Sequence, residues 1–150
     1  MDFGFTTQSK AGCHTRFMRN FFLVFGSLFT GISGVLHLYF FKLESVDWLK
    51  PKTWKKFGLA SQEHAEILRA MAYNQGFYNL FLALGVLLGS LLLSINTTVG
   101  FSLIIFSATS MTLAGLVLLL SVKNSKRAAL IQALPPLFGI LFILLGFSFN

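Results

Sequence analysis

Residues 70–122 read AMAYNQGFYNLFLALGVLLGSLLLSINTTVGFSLIIFSATSMTLAGLVLLLSV, and none of them is Asp, Glu, Lys or Arg. A helix crosses the hydrocarbon of a bilayer in about 20 residues, so this tract is too long for one span and long enough for two. Ile95-Asn96-Thr97-Thr98-Val99-Gly100, where polar and β-branched residues precede a glycine, is the natural place for the turn between them. The charge-free tracts Asn20 to Phe41 and Ala128 to Asn150 hold one further span each. Backbone polar groups in lipid are satisfied only in helices or closed barrels, and the short period-two alternation of barrel strands is missing. The expected fold is therefore all-α, a single-domain integral membrane four-helix bundle. Its spans lie near residues 20–42, 70–94, 99–122 and 128–148, with an interfacial loop at 43–69.

Composition agrees. The chain is 55% hydrophobic and only 11% charged, against roughly 25% charged in a soluble domain, so its main partner is the lipid bilayer. The net charge of +7 does not point to nucleic acid, because the cations sit at the edges of the spans and no separate basic domain exists to carry them. Cys13 is the one cysteine, which excludes an intrachain disulfide or a multi-cysteine zinc site. Arg16 and Arg19 before an apolar run imitate a secretory signal, but the run is longer than a signal core and no small-x-small cleavage site follows. It is read as the first span.

Four spans put the first and third connections on one side of the membrane. Lys42, Lys50, Lys52, Lys55, Lys56, Arg69, Lys123, Lys126 and Arg127 flank that side, and only Lys10, Arg16 and Arg19 the other. Basic residues beside spans favour the cytoplasm, so both termini are expected outside. The connection Leu43 to Leu59 mixes Trp48, Trp54 and Phe57 with lysines and Pro51, the chemistry of the headgroup layer. Ser61 is placed to cap the next helix, with Glu63 in its first turn. On the first helix Ser27, Thr30, Gly31 and Gly34 form a small-residue stripe suited to close packing, as do Gly139 and Gly146 with Gln132 on the last.

The densest polar run is Asn74-Gln75-Gly76-Phe77-Tyr78-Asn79, inside an otherwise apolar helix. Polar side chains in hydrocarbon need partners, so Asn74, Gln75, Tyr78 and Asn79 are expected to turn together into the bundle. His37 and Glu44 leave the first helix on the same side of the membrane, and Gln132 lies about one turn inside the fourth span. Polar groups from three helices thus converge in one leaflet, whereas the other half offers small hydroxyls such as Ser27, Ser107 and Thr109. Ionisable groups within a membrane are functional candidates by default. A metal site is disfavoured, since seven residues between His37 and Glu44 are about 10.5 Å of helix rise and ligands lie about 2 Å from one ion. No cofactor fingerprint is present.

His37, Glu44, Trp48, the run Asn74-Gln75-Gly76-Phe77-Tyr78-Asn79-Leu80-Phe81-Leu82-Ala83, Ala114-Gly115 and Gln132 with Pro135 resemble the pattern of a small bacterial membrane family, domain of unknown function 1304. The resemblance covers about Phe21 to Phe147 and implies a four-helix inner-membrane protein with no assigned activity. Two positions depart from the family's habit. Ala133 and Leu118 stand where it tends to have Gly, which re-spaces packing without touching the polar cluster.

Two functions fit these residues. In the first, a small amphipathic or lipid-like molecule enters between helices at the cytoplasmic leaflet. There it meets Asn74, Gln75, Tyr78, Asn79 and Gln132, with His37 and Glu44 as the one acid and base pair available for chemistry. In the second, the chain is a non-catalytic carrier or assembly subunit whose polar cluster specifies helix pairing; oligomeric state is not written in the sequence. The orientation is testable by labelling intact cells with an impermeant thiol reagent in a Cys13→Ser background. Phe5→Cys is expected to react and Lys55→Cys to stay protected, and the reverse pattern overturns the assignment.

Overall fold

The structure, a computed structural model, describes residues 5–123 and 125–149. Helix α1 spans Phe5–Phe41 and continues into a π-helical turn, Lys42–Val46. A short α2 (Pro51–Trp54), a 3-10 turn (Lys55–Phe57) and α3 (Gln62–Ile67) follow. Three long helices complete the chain: α4 (Arg69–Leu92), α5 (Thr97–Ser121) and α6 (Lys126–Ser148). Among the described residues four helices, α1, α4, α5 and α6, are long and apolar enough to cross a bilayer, and the chain is an integral membrane protein. Helix α1 starts well before the apolar tract, and residues 5–19 contain no proline to stop it.

Local chemistry sets the joints. The Asn96 side chain accepts from Val99 N–H at 3.1 Å and opens α5. Ser61 accepts from His64 N–H at 3.2 Å, with Glu63 in the first turn. The helix it caps is only α3; a turn at Leu68 separates it from α4, and no Gly or Pro there accounts for the break. Pro51 occupies the first turn of α2, where its missing N–H costs nothing. Gly58, at φ 77°, ends the following 3-10 turn in the left-handed region.

Helix α1 packs between α4 and α6, and α5 packs against the same two on the opposite side, closing a four-helix ring. Val86, Ile104, Ala108, Met111 and Ile143 form its fully buried centre. Leu91, Phe106 and Leu120 are among the large apolar side chains left on the outside, where lipid is their solvent. Helices α1 and α6 meet closely: a Cβ at Gly139 would lie 3.2 Å from Thr30 N, and one at Gly26 would lie 3.0 Å from Ile143 N. Gly139 and Gly146 are buried as the small-residue reading expects, but Gly31 is not part of the contact and Gly26 is. Inside α6, Pro135 and Pro136 lack the N–H groups that the carbonyls of Ile131 and Gln132 would otherwise receive.

The Gly26 contact yields a paired prediction. In Gly26→Ala the new methyl must displace Ile143, whose Cγ1 and backbone N stand 2.5 and 3.0 Å from the Cβ position, at a cost of about 1 to 3 kcal/mol. Gly31→Ala meets nothing within 4 Å and gains helix propensity. Unfolding in mixed micelles should therefore show Gly26→Ala destabilised and Gly31→Ala unchanged or stabilised.

Candidate functional site

The end of α1 is where the bundle opens. Asp47 N–H bonds back to Lys42 O at 2.9 Å, one residue further than an α-helix reaches, and such widened turns recur at functional positions. Glu44 lies in this turn, half-buried against α4. Asn79 Nδ2 donates to Glu44 Oε2 at 2.7 Å and to its own helix at Gln75 O at 3.3 Å. Beside it Ser45 Oγ donates to Tyr73 O at 2.8 Å. Gly76 permits this approach, since a Cβ there would lie 3.1 Å from Glu44 Cβ and collide with Ser45.

The connection following the turn is a folded cap. Trp48 Nε1 donates to Ala65 O at 2.7 Å and Trp54 Nε1 to Gln62 Oε1 at 2.9 Å. The Trp48 ring meets Phe57 edge-on at 5.1 Å. Both indoles are buried within the cap. A buried indole N–H needs an acceptor, and α3 supplies both. Asp47 pairs with Lys42 and, at 2.8 Å, with Lys50, which ties the start of the cap to the end of α1.

Between cap and bundle lies a cleft of about 140 Å³ lined by Glu44, Ser45, Val46, Trp48, Leu49, Arg69 and Tyr73. Of the residues chosen from sequence, only Glu44 lines it directly, and Asn79 stands behind Glu44. His37 is completely buried, its Nδ1 2.9 Å from Ser33 O, and its Nε2 has no hydrogen-bond partner among the described residues. No hydrogen bond joins His37 to Glu44 among the described residues, and Glu44 lines the cleft while His37 does not. Gln132 is half-buried on α6.

Asn74, Gln75 and Tyr78 are exposed on the outside of α4. The expectation that all four polar residues of the run turn inward is met at Asn79 alone. The reason is helical geometry: at 3.6 residues per turn, Asn74 points about 140° and Tyr78 about 100° away from Asn79. Gln75 is near Asn79 in direction but one turn closer to the membrane edge. Arg69 was read only as an edge charge; its place in the cleft follows from the cap folding back, which residue spacing does not reveal. At the opposite end of the bundle a wider hollow of about 520 Å³ is lined by Arg19, Leu23, Ser27, Ser90, Leu93, Ser94, Thr97 and Phe147. That half thus presents a cation as well as hydroxyls.

The family described as Protein of unknown function (DUF1304) matches residues 31–144. No curated protein and no solved structure matches the chain.

The Asp47 pairs make the cap sensitive to acid. Lys42, then Lys50, hydrogen-bonded to Asp47, hold its carboxyl below the ordinary value. A depressed value in the folded state stabilises above the unfolded value, about 4, and that contribution is lost as pH falls through the folded one. Trp48 and Trp54 are the only tryptophans and both sit in the cap. Their emission should report a cap more resistant to denaturant in wild type than in Asp47→Asn at pH 7, with the difference shrinking as pH falls below about 4 and lost once pH is below the depressed Asp47 value.

Proposed function

Because the chain belongs to the family described as protein of unknown function (DUF1304), a membership that assigns no activity, we propose from its geometry that it binds the polar end of a small amphipathic or lipid-like molecule. The observation that carries this reading is the 2.7 Å hydrogen bond from Asn79 to Glu44 at the wall of the cleft. A half-buried carboxyl group at the rim of a bundle is costly, and here an amide from a second helix orients it. A cleft of about 140 Å³ is far below the roughly 300 to 1,000 Å³ that enclose a whole small ligand. It suits a headgroup whose tail stays in the bilayer. The separation of His37 from the cleft favours binding over two-group acid–base chemistry.

The cleft is proposed to face the cytoplasm of a bacterial inner membrane, with both termini outside. Nine of the twelve basic residues flank the cleft side, as the positive-inside rule requires.

A second reading is favoured by a separate observation, the exposure of Asn74, Gln75 and Tyr78 on the outside of α4. Amides facing hydrocarbon gain from pairing with another helix, and the chain is then an assembly subunit. Under this reading Asn74→Cys in a Cys13→Ser background crosslinks within the membrane, and the cleft is incidental.

Glu44→Gln tests the first reading directly. The Gln oxygen still accepts from Asn79, so the empty protein keeps its fold while the cleft loses its carboxylate. Stabilisation by a ligand at a hundredfold excess over its Kd is about 2.7 kcal/mol. Thermal unfolding in detergent with and without extracted native lipids should show that gain in wild type and lose it in Glu44→Gln and in Asn79→Leu. Equal lipid-induced shifts in all three proteins would sink the binding reading.

A further inference from the structure

Glu44 and Arg69 line one small cleft without meeting each other. Among the described residues the ion pairs are Lys42 with Asp47 and Lys50 with Asp47, so neither the Glu44 carboxylate nor the Arg69 guanidinium has an opposite charge within 4 Å. Lys42 and Lys50 are committed to Asp47, and Lys56 donates to the Tyr39 hydroxyl at 2.8 Å. Glu44 Oε2 takes the hydrogen bond from Asn79, which leaves Oε1 to accept. The cleft therefore presents an acceptor on one wall and a forked five-donor cation on the other. Trp48 and Tyr73, which also line it, add aromatic surface of the kind that attracts ammonium groups.

Resting on the reading that the cleft takes a headgroup, we infer that its ligand is a zwitterion carrying a primary ammonium and a phosphate. The ammonium donates to Glu44 Oε1, and the phosphate is held by Arg69, whose fork matches two phosphate oxygens at once. A trimethylated ammonium has no N–H to donate and is the wrong partner for a carboxylate already oriented by Asn79. A purely anionic headgroup leaves Glu44 uncompensated and repels it. The tail of such a ligand has somewhere to go, because Val46 is 65% and Tyr73 53% exposed at the lining of the cleft. The same chemistry is found in the headgroup of phosphatidylethanolamine and in free phosphoethanolamine.

Native mass spectrometry of the purified full chain can separate these cases, after exchange into micelles containing equal phosphatidylethanolamine, phosphatidylcholine and phosphatidylglycerol. The expected result is one retained phosphatidylethanolamine, with that preference reduced at least tenfold in both Glu44→Gln and Arg69→Gln. Thermal shift with soluble phosphoethanolamine identifies the source. Stabilisation that Glu44→Gln removes, with no lipid retained, assigns the cleft to the free zwitterion and upholds the inferred chemistry. Retention of phosphatidylglycerol that depends on Arg69 and not on Glu44 overturns the zwitterion while leaving a headgroup site. Retention that neither substitution alters, or no binding by any probe, overturns the zwitterion and the headgroup reading together.

Discussion

A polar group inside a bilayer must find its hydrogen bond within the protein, and that one requirement organises this molecule from backbone to cleft. The backbone meets it by forming helices. Many hydroxyl side chains meet it on their own helices: Ser33 bonds Phe29 O, Ser90 bonds Val86 O, Ser110 bonds Phe106 O, Thr112 bonds Ala108 O and Ser121 bonds Val117 O, while Ser45 reaches across to Tyr73 O of α4. Hydroxyls bonded on their own helix cost little and need no neighbour. Glu44 has no such local acceptor to use and depends on Asn79 of another helix. The distinction separates the polar residues that merely live in the membrane from those that bring elements together.

This also explains which parts of the molecule are legible in its sequence. Long charge-free tracts announce four apolar helices because charge in hydrocarbon is expensive whatever the neighbours do. The cap between α1 and α4 is not legible in that way. Its lysines and tryptophans have the composition of a headgroup-facing loop, yet the indole N–H groups are claimed by Ala65 O and Gln62. Two tertiary hydrogen bonds turn the same composition into a small buried core. Arg69 joins the cleft only because that core folds back over the start of α4.

The polar run on α4 shows the limit from another side. Asn74, Tyr78, Gln75 and Asn79 fan over about 140° of helix, and with Asn79 at one edge of the fan the phase that seats it inward leaves the other three outside. Which of them faces inward depends on the phase of α4 against α1, and Gly76 sets it by admitting Glu44 and Ser45 at close range. A spacing argument can list the candidates around such a helix. Choosing among them takes the packing partner.

Depth decides between the two ionisable residues of α1. Packing of Thr30 against Gly139 fixes the antiparallel register of α1 and α6. Seven residues along from each, His37 and Gln132 stand at one level, beside the turn whose carbonyls Pro135 and Pro136 leave without backbone donors. That layer is rich in acceptors, and His37 within it is fully buried. Glu44, two turns further on, sits where the π-helical turn widens α1 and the bundle meets the cap. A molecule arriving from the leaflet meets Glu44 without parting the helices, whereas reaching His37 requires opening α1 from α4 or α6. Access, rather than acidity, separates the two: Glu44 lines the cleft, whereas His37 belongs to the bundle's interior.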